Sequence, residues 1–209
     1  GVAPSSAPPY RGPNLDERSP LRQPEPARVA GADTDCPAPE ACVIRIGLIS
    51  DIHGTLRSEV FDLLAGVDRI LFAGDAGRID SLEDLAAIAP VDAVWGNVDG
   101  PEVRAVTRVT QELDVEGVRF AVTHGHLVHP NYELLLEQFP AADVIVHGHT
   151  HRPKARQAGT RWIINPGAAS SGRGGSPPAL AIATVEGGRV EFDHLELPSG
   201  KSFRAGRHD

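Results

Sequence analysis

Short apolar runs alternate with helix-length segments from about residue 43 onward. Five of these runs are each followed directly by a polar residue: VIRIGLIS, RILFAG, VDAVWG, VRFAVT and DVIVHG. Runs of this length, rich in Val and Ile, are typical of buried β-strands. We predict helices over residues 57–66, 80–89 and 131–139, because apolar residues recur there at helical spacing and a Gly or Pro ends each stretch.

The pattern changes toward hairpins after Thr107. Glu116-Gly117 predicts a turn between two strands, and Glu186-Gly187-Gly188 separates two further apolar runs, 179–184 and 189–195. The chain therefore reads as βαβαβ followed by several strands and one more helix. This order predicts an α/β fold class with two packed sheets and helices outside them.

Composition divides the chain into three parts. Residues 1–41 carry half of the chain's 18 prolines and almost no aromatic or β-branched residues, so we expect a disordered Pro-rich tail. We place the folded domain at 42–197 and a flexible C-terminal tail at 198–209, where polar residues dominate. The Pro-rich tail could alternatively be a partner-binding arm, although it lacks a PxxP cluster with basic flanks.

Charge and targeting patterns narrow the functional classes. With 28 acidic against 20 basic residues the net charge is −8, so we expect neither a nucleic-acid-binding patch nor attachment to an anionic membrane. The sequence shows no transmembrane run and no secretory signal, and Cys36 and Cys42 are interpreted as free thiols. We therefore expect a cytoplasmic protein, and the sequence leaves open whether it forms a homo-oligomer.

Metal-binding residue types follow the five apolar runs. Because ligands collect at the carboxyl ends of strands in α/β sheets, we expect these side chains to converge. Each motif alone is ordinary turn chemistry, but a two-metal cluster explains all of them with one physical cause. A lone carboxylate such as Asp75 is the group best suited to bridge two cations. The seven predicted ligands are Asp51, His53, Asp75, Asn97, His124, His149 and His151.

Other polar residues near these motifs are interpreted more conservatively. His147 lies inside an apolar run and is expected to be a core residue, and Asp99 is expected to orient a ligand through a hydrogen bond. His126 and His129 are either outer residues of the site or surface residues, and His194 and His208 are structural or solvated. Three arginines close to the motif loops are candidates for phosphate contacts but are more typical of surface residues: Arg78, Arg152 and Arg173.

The motifs together resemble those of the calcineurin-like metallophosphoesterase superfamily. DxH, GD, GNxD, HGH and GHTH occur here in that order over residues 43–195. The closing Asn165-Pro166-Gly167 is similar to that of the small YfcE-like phosphodiesterase branch. The resemblance implies a four-layer αββα sandwich of two mixed β-sheets flanked by helices.

The resemblance also implies a division of the ligands. Asp51, His53 and His151 would hold one divalent ion; Asn97, His124 and His149 would hold the other. Asp75 would bridge the two ions, and a metal-bridging hydroxide would attack the phosphorus of a small phosphorylated substrate. Asn97 would help to stabilise charge on the phosphoryl oxygens. We expect Mn²⁺, with Fe, Zn, Ni and Mg as alternatives.

One position departs from the superfamily pattern. Many members have His directly after the Asn of GNxD, as the acid that protonates the leaving group, whereas this chain has Val98. Loss of a general acid typically costs about 10²–10⁴-fold on poor leaving groups. We therefore expect a preference for phosphodiesters or good leaving groups, unless His126 supplies the proton as a third catalytic residue beside Asn97 and Asp75.

Two non-enzymatic hypotheses stand beside the hydrolase. The same branch includes a retromer sorting subunit that holds protein partners, so the fold could serve as a catalytically weak scaffold. Scaffold versions depart from the ligand set, whereas this chain keeps all seven donors. A regulatory sensor that recruits a partner through residues 1–41 is the third hypothesis.

Overall fold

A computed structural model describes residues 43–128 and 131–197 and the backbone of a strand over Ser202–Arg207. The N-terminal tail predicted over 1–41, which includes Cys36, lies outside the described residues, as do Cys42, His129 and His208. All described residues belong to one contact unit, Ala38–Asp209. None of the helices in the described residues is long and apolar enough to cross a membrane.

The described elements alternate between strands and short helices. The helices are α1 Ser58–Leu63, α2 Asp80–Ala86, α3 Pro101–Val106 and α4 Tyr132–Gln138. The strands are β1 Ile44–Ile49, β2 Arg69–Ala73, β3 Val91–Val94, β4 Thr110–Val115, β5 Val118–Thr123, β6 Val144–His147, β7 Lys154–Ala158, β8 Arg161–Asn165, β9 Ala179–Glu186, β10 Arg189–Glu196 and β11 Ser202–Arg207.

These strands form two mixed sheets, which we call sheet A and sheet B. Sheet A has the order β11-β10-β9-β1-β2-β3, and sheet B has the order β4-β5-β6-β8-β7. β1, β2 and β3 run parallel to one another in sheet A, and β5, β6 and β8 run parallel in sheet B. The predicted βαβαβ unit is thus confirmed as the parallel part of sheet A.

Three apolar clusters account for the layering. The first packs side chains of the two sheets against each other, including Leu71 of β2, Phe120 of β5 and Val146 of β6. The second packs α1 and α2 on the outer face of sheet A, and the third packs α4 on the outer face of sheet B. The order is helix, sheet, sheet, helix, so the predicted αββα sandwich is confirmed.

The boundaries differ from those predicted at several places. The predicted helices over 57–66, 80–89 and 131–139 are shorter, and α3 was not predicted, since PEVRAV contains Pro and two β-branched residues. The hairpin of β7 and β8 was not predicted either, because β7 is largely exposed and its sequence has no apolar run. Within the tail predicted at 198–209, residues 202–207 pair with β10 as β11.

Candidate metal centre

The seven predicted metal ligands lie together at the end of the sandwich where the carboxyl ends of five parallel strands meet. Four of these ligands follow strands of sheet A and three follow strands of sheet B. The strand ends that carry the ligands therefore belong to two sheets. The contributions are Asp51 and His53 after β1, Asp75 after β2, Asn97 after β3, His124 after β5, and His149 and His151 after β6.

The first group of ligands, which we call the first half-site, joins β1 to β6. Asp51 Oδ1 lies 3.2 Å from His151 Nε2 and 3.9 Å from His53 Nε2. The two histidine Nε2 atoms are 3.1 Å apart. The donor atoms of these three residues all lie within 4.8 Å of one another, a spacing that one metal ion can span.

The second half-site is formed around the amide of Asn97. Its Oδ1 lies 3.2 Å from His124 Nε2 and 3.0 Å from His149 Nδ1. His124 Nε2 also lies 3.2 Å from Asp75 Oδ2. The second half-site thus offers two imidazole nitrogens, an amide oxygen and a carboxylate oxygen, a set that suits Mn, Fe or Zn.

Asp75 stands between the two half-sites. Its Oδ1 accepts a hydrogen bond from the Val98 amide at 3.0 Å, which leaves Oδ2 directed toward the ligands. Oδ2 lies 3.2 Å from His124 of the second half-site and 3.9 Å from His53 of the first. The carboxylate is only 2 % exposed. This is the position that a bridging carboxylate requires.

The facing atoms of these side chains are mostly acceptors. His151 Nδ1 lies 3.1 Å from the Ser171 carbonyl oxygen, and His124 Nδ1 lies 2.8 Å from the Ala73 carbonyl oxygen. A carbonyl only accepts, so each Nδ1 carries a proton, and in the tautomer that has its one proton there the lone pair of Nε2 points into the site. Asp51 Oδ1, which faces His151 Nε2, is buried without a hydrogen-bond partner in the described part of the chain. Lone pairs that face one another need a cation between them, so the residues fit bound metal ions.

Five of the seven ligands have left-handed backbone conformations. Asp51, His53, Asp75, His149 and His151 have φ between 53° and 70°, and the one other such non-glycine residue in the described chain is Glu116, in a hairpin turn. Residues held in this region cost about 1 kcal/mol or more each and persist where the surroundings impose them. Such strain, concentrated at the ligands, is typical of a functional site.

Asp99 fixes the loops that carry the ligands. Its carboxylate is buried and accepts hydrogen bonds from three backbone amides, those of Asp75 at 2.9 Å, Gly77 at 2.8 Å and Gly96 at 2.7 Å. It thereby ties the loop after β2 to the loop after β3. The predicted role, orientation of a ligand through a hydrogen bond, agrees with this contact to the amide of Asp75 itself.

Several supporting residues were not predicted from the sequence. Ser50 Oγ lies 2.7 Å from Asp51 Oδ2, and Asn165 Nδ2 donates to the Gly148 carbonyl at 2.8 Å and to Thr150 Oγ1 at 3.0 Å. Asn165 therefore supports the loop that carries His149 and His151. The Asn-Pro-Gly motif that contains Asn165 is the feature of the sequence that could have indicated this role. The Ala73 and Ser171 carbonyls leave no signal in the sequence, since any residue type provides a carbonyl.

Two glycines leave room for the carboxylates. A Cβ on Gly96 would lie 2.0 Å from Asp75 Oδ1, and a Cβ on Gly148 would lie 2.8 Å from Asp51 Oδ2. No side chain fits at either position without displacement of a predicted ligand. The Gly residues of the GNxD and GHTH motifs are thus required for close approach of the backbone.

The electrostatics of the second half-site couple Asp75 to His124. Burial raises the pKa of Asp75, yet the hydrogen bond to His124 and the charge of His124 hold this pKa below its usual range. Burial lowers the pKa of His124, but the hydrogen bond to Asp75 and the charges of Asp51 and Asp75 raise it overall. An anionic cluster that attracts a proton to a buried imidazole is equally suited to attract a metal cation.

The remaining predicted residues have varied surroundings. His126 packs beside the second half-site, with its ring centroid 5.2 Å from that of His124 and 6.4 Å from that of His149. His147 is buried, and burial lowers its pKa to about 4, so it is a neutral core residue. Arg78 is paired with Asp80 at 2.6 Å, while Arg152 and Arg173 are exposed.

Comparisons with known proteins agree with this geometry. The sequence profile of the calcineurin-like phosphoesterase superfamily domain matches residues 44–188. The chain belongs to this superfamily. A probable metallophosphoesterase of Methanothermobacter thermautotrophicus is 30 % identical over 157 residues, which cover 71 % of this chain and 90 % of that protein.

One further sequence relative and one solved structure extend the comparison. The phosphodiesterase YfcE of Escherichia coli K12 is 33 % identical over 166 residues, which cover 67 % of this chain and 87 % of YfcE. The solved structure of vacuolar protein sorting 29 from Cryptosporidium parvum superposes with a TM-score of 0.69 at 23 % identity, and covers 78 % of this chain and 96 % of that one. At this identity the second likeness concerns the fold alone.

Proposed function

We propose that this superfamily member is a phosphodiesterase that depends on two divalent metal ions. Mn²⁺ is the metal that we expect. The observation that carries the proposal is the convergence of seven side chains whose oxygen and nitrogen atoms can each ligate a metal ion. Asp51, His53 and His151 would hold one ion; Asn97, His124 and His149 would hold the other, with Asp75 between them. Two divalent ions bound there would neutralise phosphoryl charge and would lower the pKa of bound water enough to supply hydroxide at neutral pH.

The chain's own residues define how a substrate would be received. Asp75 is held in place by hydrogen bonds at its carboxylate and at its amide, so it needs no reorganisation when a phosphoryl group arrives. Among the described residues, His126 is the imidazole outside the ligand set whose ring contacts both His124 and His149. It is therefore our candidate for the group that gives a proton to the leaving oxygen.

Val98 supports diesters and good leaving groups as the preferred substrates. Its side chain is 47 % exposed at the loop that also carries Asn97, so an apolar surface stands where many superfamily members have an acid. Without a strong proton donor, turnover depends on how stable the departing oxyanion is. An aryl phosphodiester should therefore be turned over faster than an alkyl phosphomonoester.

The test is hydrolysis by the purified, Mn²⁺-loaded full chain. We expect turnover of the aryl phosphodiester, its loss in Asp75→Asn, and a slower reaction on the alkyl phosphomonoester. His126→Ala should widen the difference between these two substrates. Equal and undiminished turnover on both substrates in wild type and His126→Ala would refute the assigned leaving-group chemistry.

A scaffold function remains the second candidate because the fold also matches vacuolar protein sorting 29. The same assay separates the two hypotheses. A scaffold that retains bound metal would show no Mn²⁺-dependent turnover above that of Asp75→Asn. Metal-dependent turnover that Asp75→Asn abolishes supports the hydrolase.

A further inference from the structure

A stacked group of three side chains lies beside the second half-site, and we call it the Arg104 stack. The guanidinium carbon of Arg104 is 4.4 Å from the centroid of the Trp95 ring. The Trp95 ring is 5.4 Å from the ring of His126, which in turn contacts the rings of His124 and His149. A cation is thus connected by successive ring contacts to the predicted metal ligands.

Trp95 holds this arrangement in a fixed place. It follows β3 directly and precedes Gly96-Asn97, and its amide donates to the Arg108 carbonyl at 2.9 Å. Its ring is contacted by Arg104 and by His126, so it serves as a support for these two groups. Stacking occupies the face of a guanidinium and leaves the N–H groups at its edge free to donate.

Arg104 has no anionic partner in the part of the chain that the structure describes. Arg104 is exposed on α3 and takes part in no ion pair among the described residues. Glu102 lies two residues away on the same helix, and residues at that spacing do not face each other. The chain as a whole carries a net charge of −8, which makes an unpaired, positioned cation beside the site notable.

We propose that Arg104 is a specificity residue that binds an anionic group, a carboxylate or a phosphate, which the substrate carries beyond the scissile phosphoryl group. This inference rests on the proposed phosphodiesterase function and adds a substrate class to it. The planar guanidinium matches a carboxylate or phosphate through paired hydrogen bonds. Val98, exposed on the neighbouring loop, offers no charge for this purpose.

The test uses inert phosphonates with the Mn²⁺-loaded full chain. Three series of increasing alkyl length end in a methyl group, a carboxylate or a second phosphonate, and their Kd values are measured by calorimetry. We expect the terminal anion to tighten binding about ten-fold or more at one chain length. The carboxylate and phosphonate series distinguish the two kinds of anion.

Variants assign this gain to the side chain. Arg104→Ala should abolish the gain while binding of the methyl-terminated series stays unchanged, and Arg104→Lys should retain part of it. The matched control is Arg189→Ala, which removes an exposed arginine from the β9–β10 hairpin. Kinetic analysis with anionic and neutral aryl diesters should show the effect of Arg104→Ala in KM rather than kcat.

The outcomes separate this inference from the function on which it rests. Metal-dependent binding of the methyl-terminated phosphonates reports on the metal centre, whereas the difference between series reports on Arg104. If wild type shows no gain at any chain length, or if the gain persists in Arg104→Ala, the role of Arg104 is refuted while the phosphodiesterase proposal stands.

Discussion

Replacement of Asp99 by Asn should weaken the metal centre without removal of any predicted ligand. The Asp99 carboxylate accepts three backbone hydrogen bonds, two at Oδ2 and one at Oδ1. An amide oxygen can retain the two bonds from Asp75 and Gly96, but its NH₂ group then faces the amide of Gly77, donor against donor. Loss of this part-buried bond from Gly77 to a charged acceptor costs about 1.5–3 kcal/mol. Looser support of Asp75 should weaken metal binding by about 10–100-fold.

Two measurements on purified protein check this prediction. Urea denaturation of the metal-free protein gives the free energy of unfolding, and Mn²⁺ titration by calorimetry gives the affinity. Asp84→Asn, an exposed carboxylate on α2, is the matched control and should change neither quantity. If Asp99→Asn equals wild type in stability and in Mn²⁺ affinity, then Asp99 does not position the centre.

Three further predictions follow from the site and its surroundings. Gly96→Ala should abolish Mn²⁺ binding in calorimetry because its Cβ would lie 2.0 Å from Asp75 Oδ1, whereas Gly100→Ala, with open space at its Cβ, should bind as wild type does. Removal of Mn²⁺ from the wild-type protein with a chelator should lower the midpoint of thermal unfolding, since metal at 100 times its Kd stabilises a protein by about 2.7 kcal/mol. Asp75→Asn should show a smaller drop in this midpoint, and an equal drop would contradict a bridging Asp75. Burial lowers the pKa of His194 from its ordinary 6.5, so its neutral form stabilises the fold above that pH and the stability is lost as pH falls toward the folded pKa. Urea midpoints of metal-free wild type should therefore fall more steeply below pH 6.5 than those of His194→Gln, and parallel curves would contradict this.

The sequence predicts the location of the site better than its support. Strand ends are readable because β1, β2, β5 and β6 are buried apolar runs, and the polar residues that follow them had to meet wherever the parallel strands end. Assignment to two sheets is less direct, since local pattern does not reveal which strands pair. β7 shows this limit: it is largely exposed and its pairing with β8 depends on the neighbour rather than on its own residues.

The contacts that prepare the ligands are mostly long-range and made by backbone atoms. The Ala73 carbonyl orients His124 across 51 positions of sequence, and the Asp99 carboxylate reaches the amide of Asp75 from the next strand. The carbonyl of Ala73 and the amide of Asp75 leave no signal in the sequence, because every residue has these groups, whereas Asp99 is visible as the Asp of the GNxD motif. The left-handed conformations of the ligands are likewise imposed by the assembled loops rather than by Asp or His alone.

The origin of the ligands in both sheets has a mechanical consequence. The first half-site joins Asp51 and His53 of sheet A to His151 of sheet B, and Asn97 of sheet A faces His124 of sheet B in the second. An ion in either half-site would therefore link sheet A to sheet B at the edge of the sandwich that carries the ligand loops. If the more weakly bound ion dissociated, the other ion would still connect the two sheets. The metal link between the two sheets at that edge would be absent only after both ions were lost.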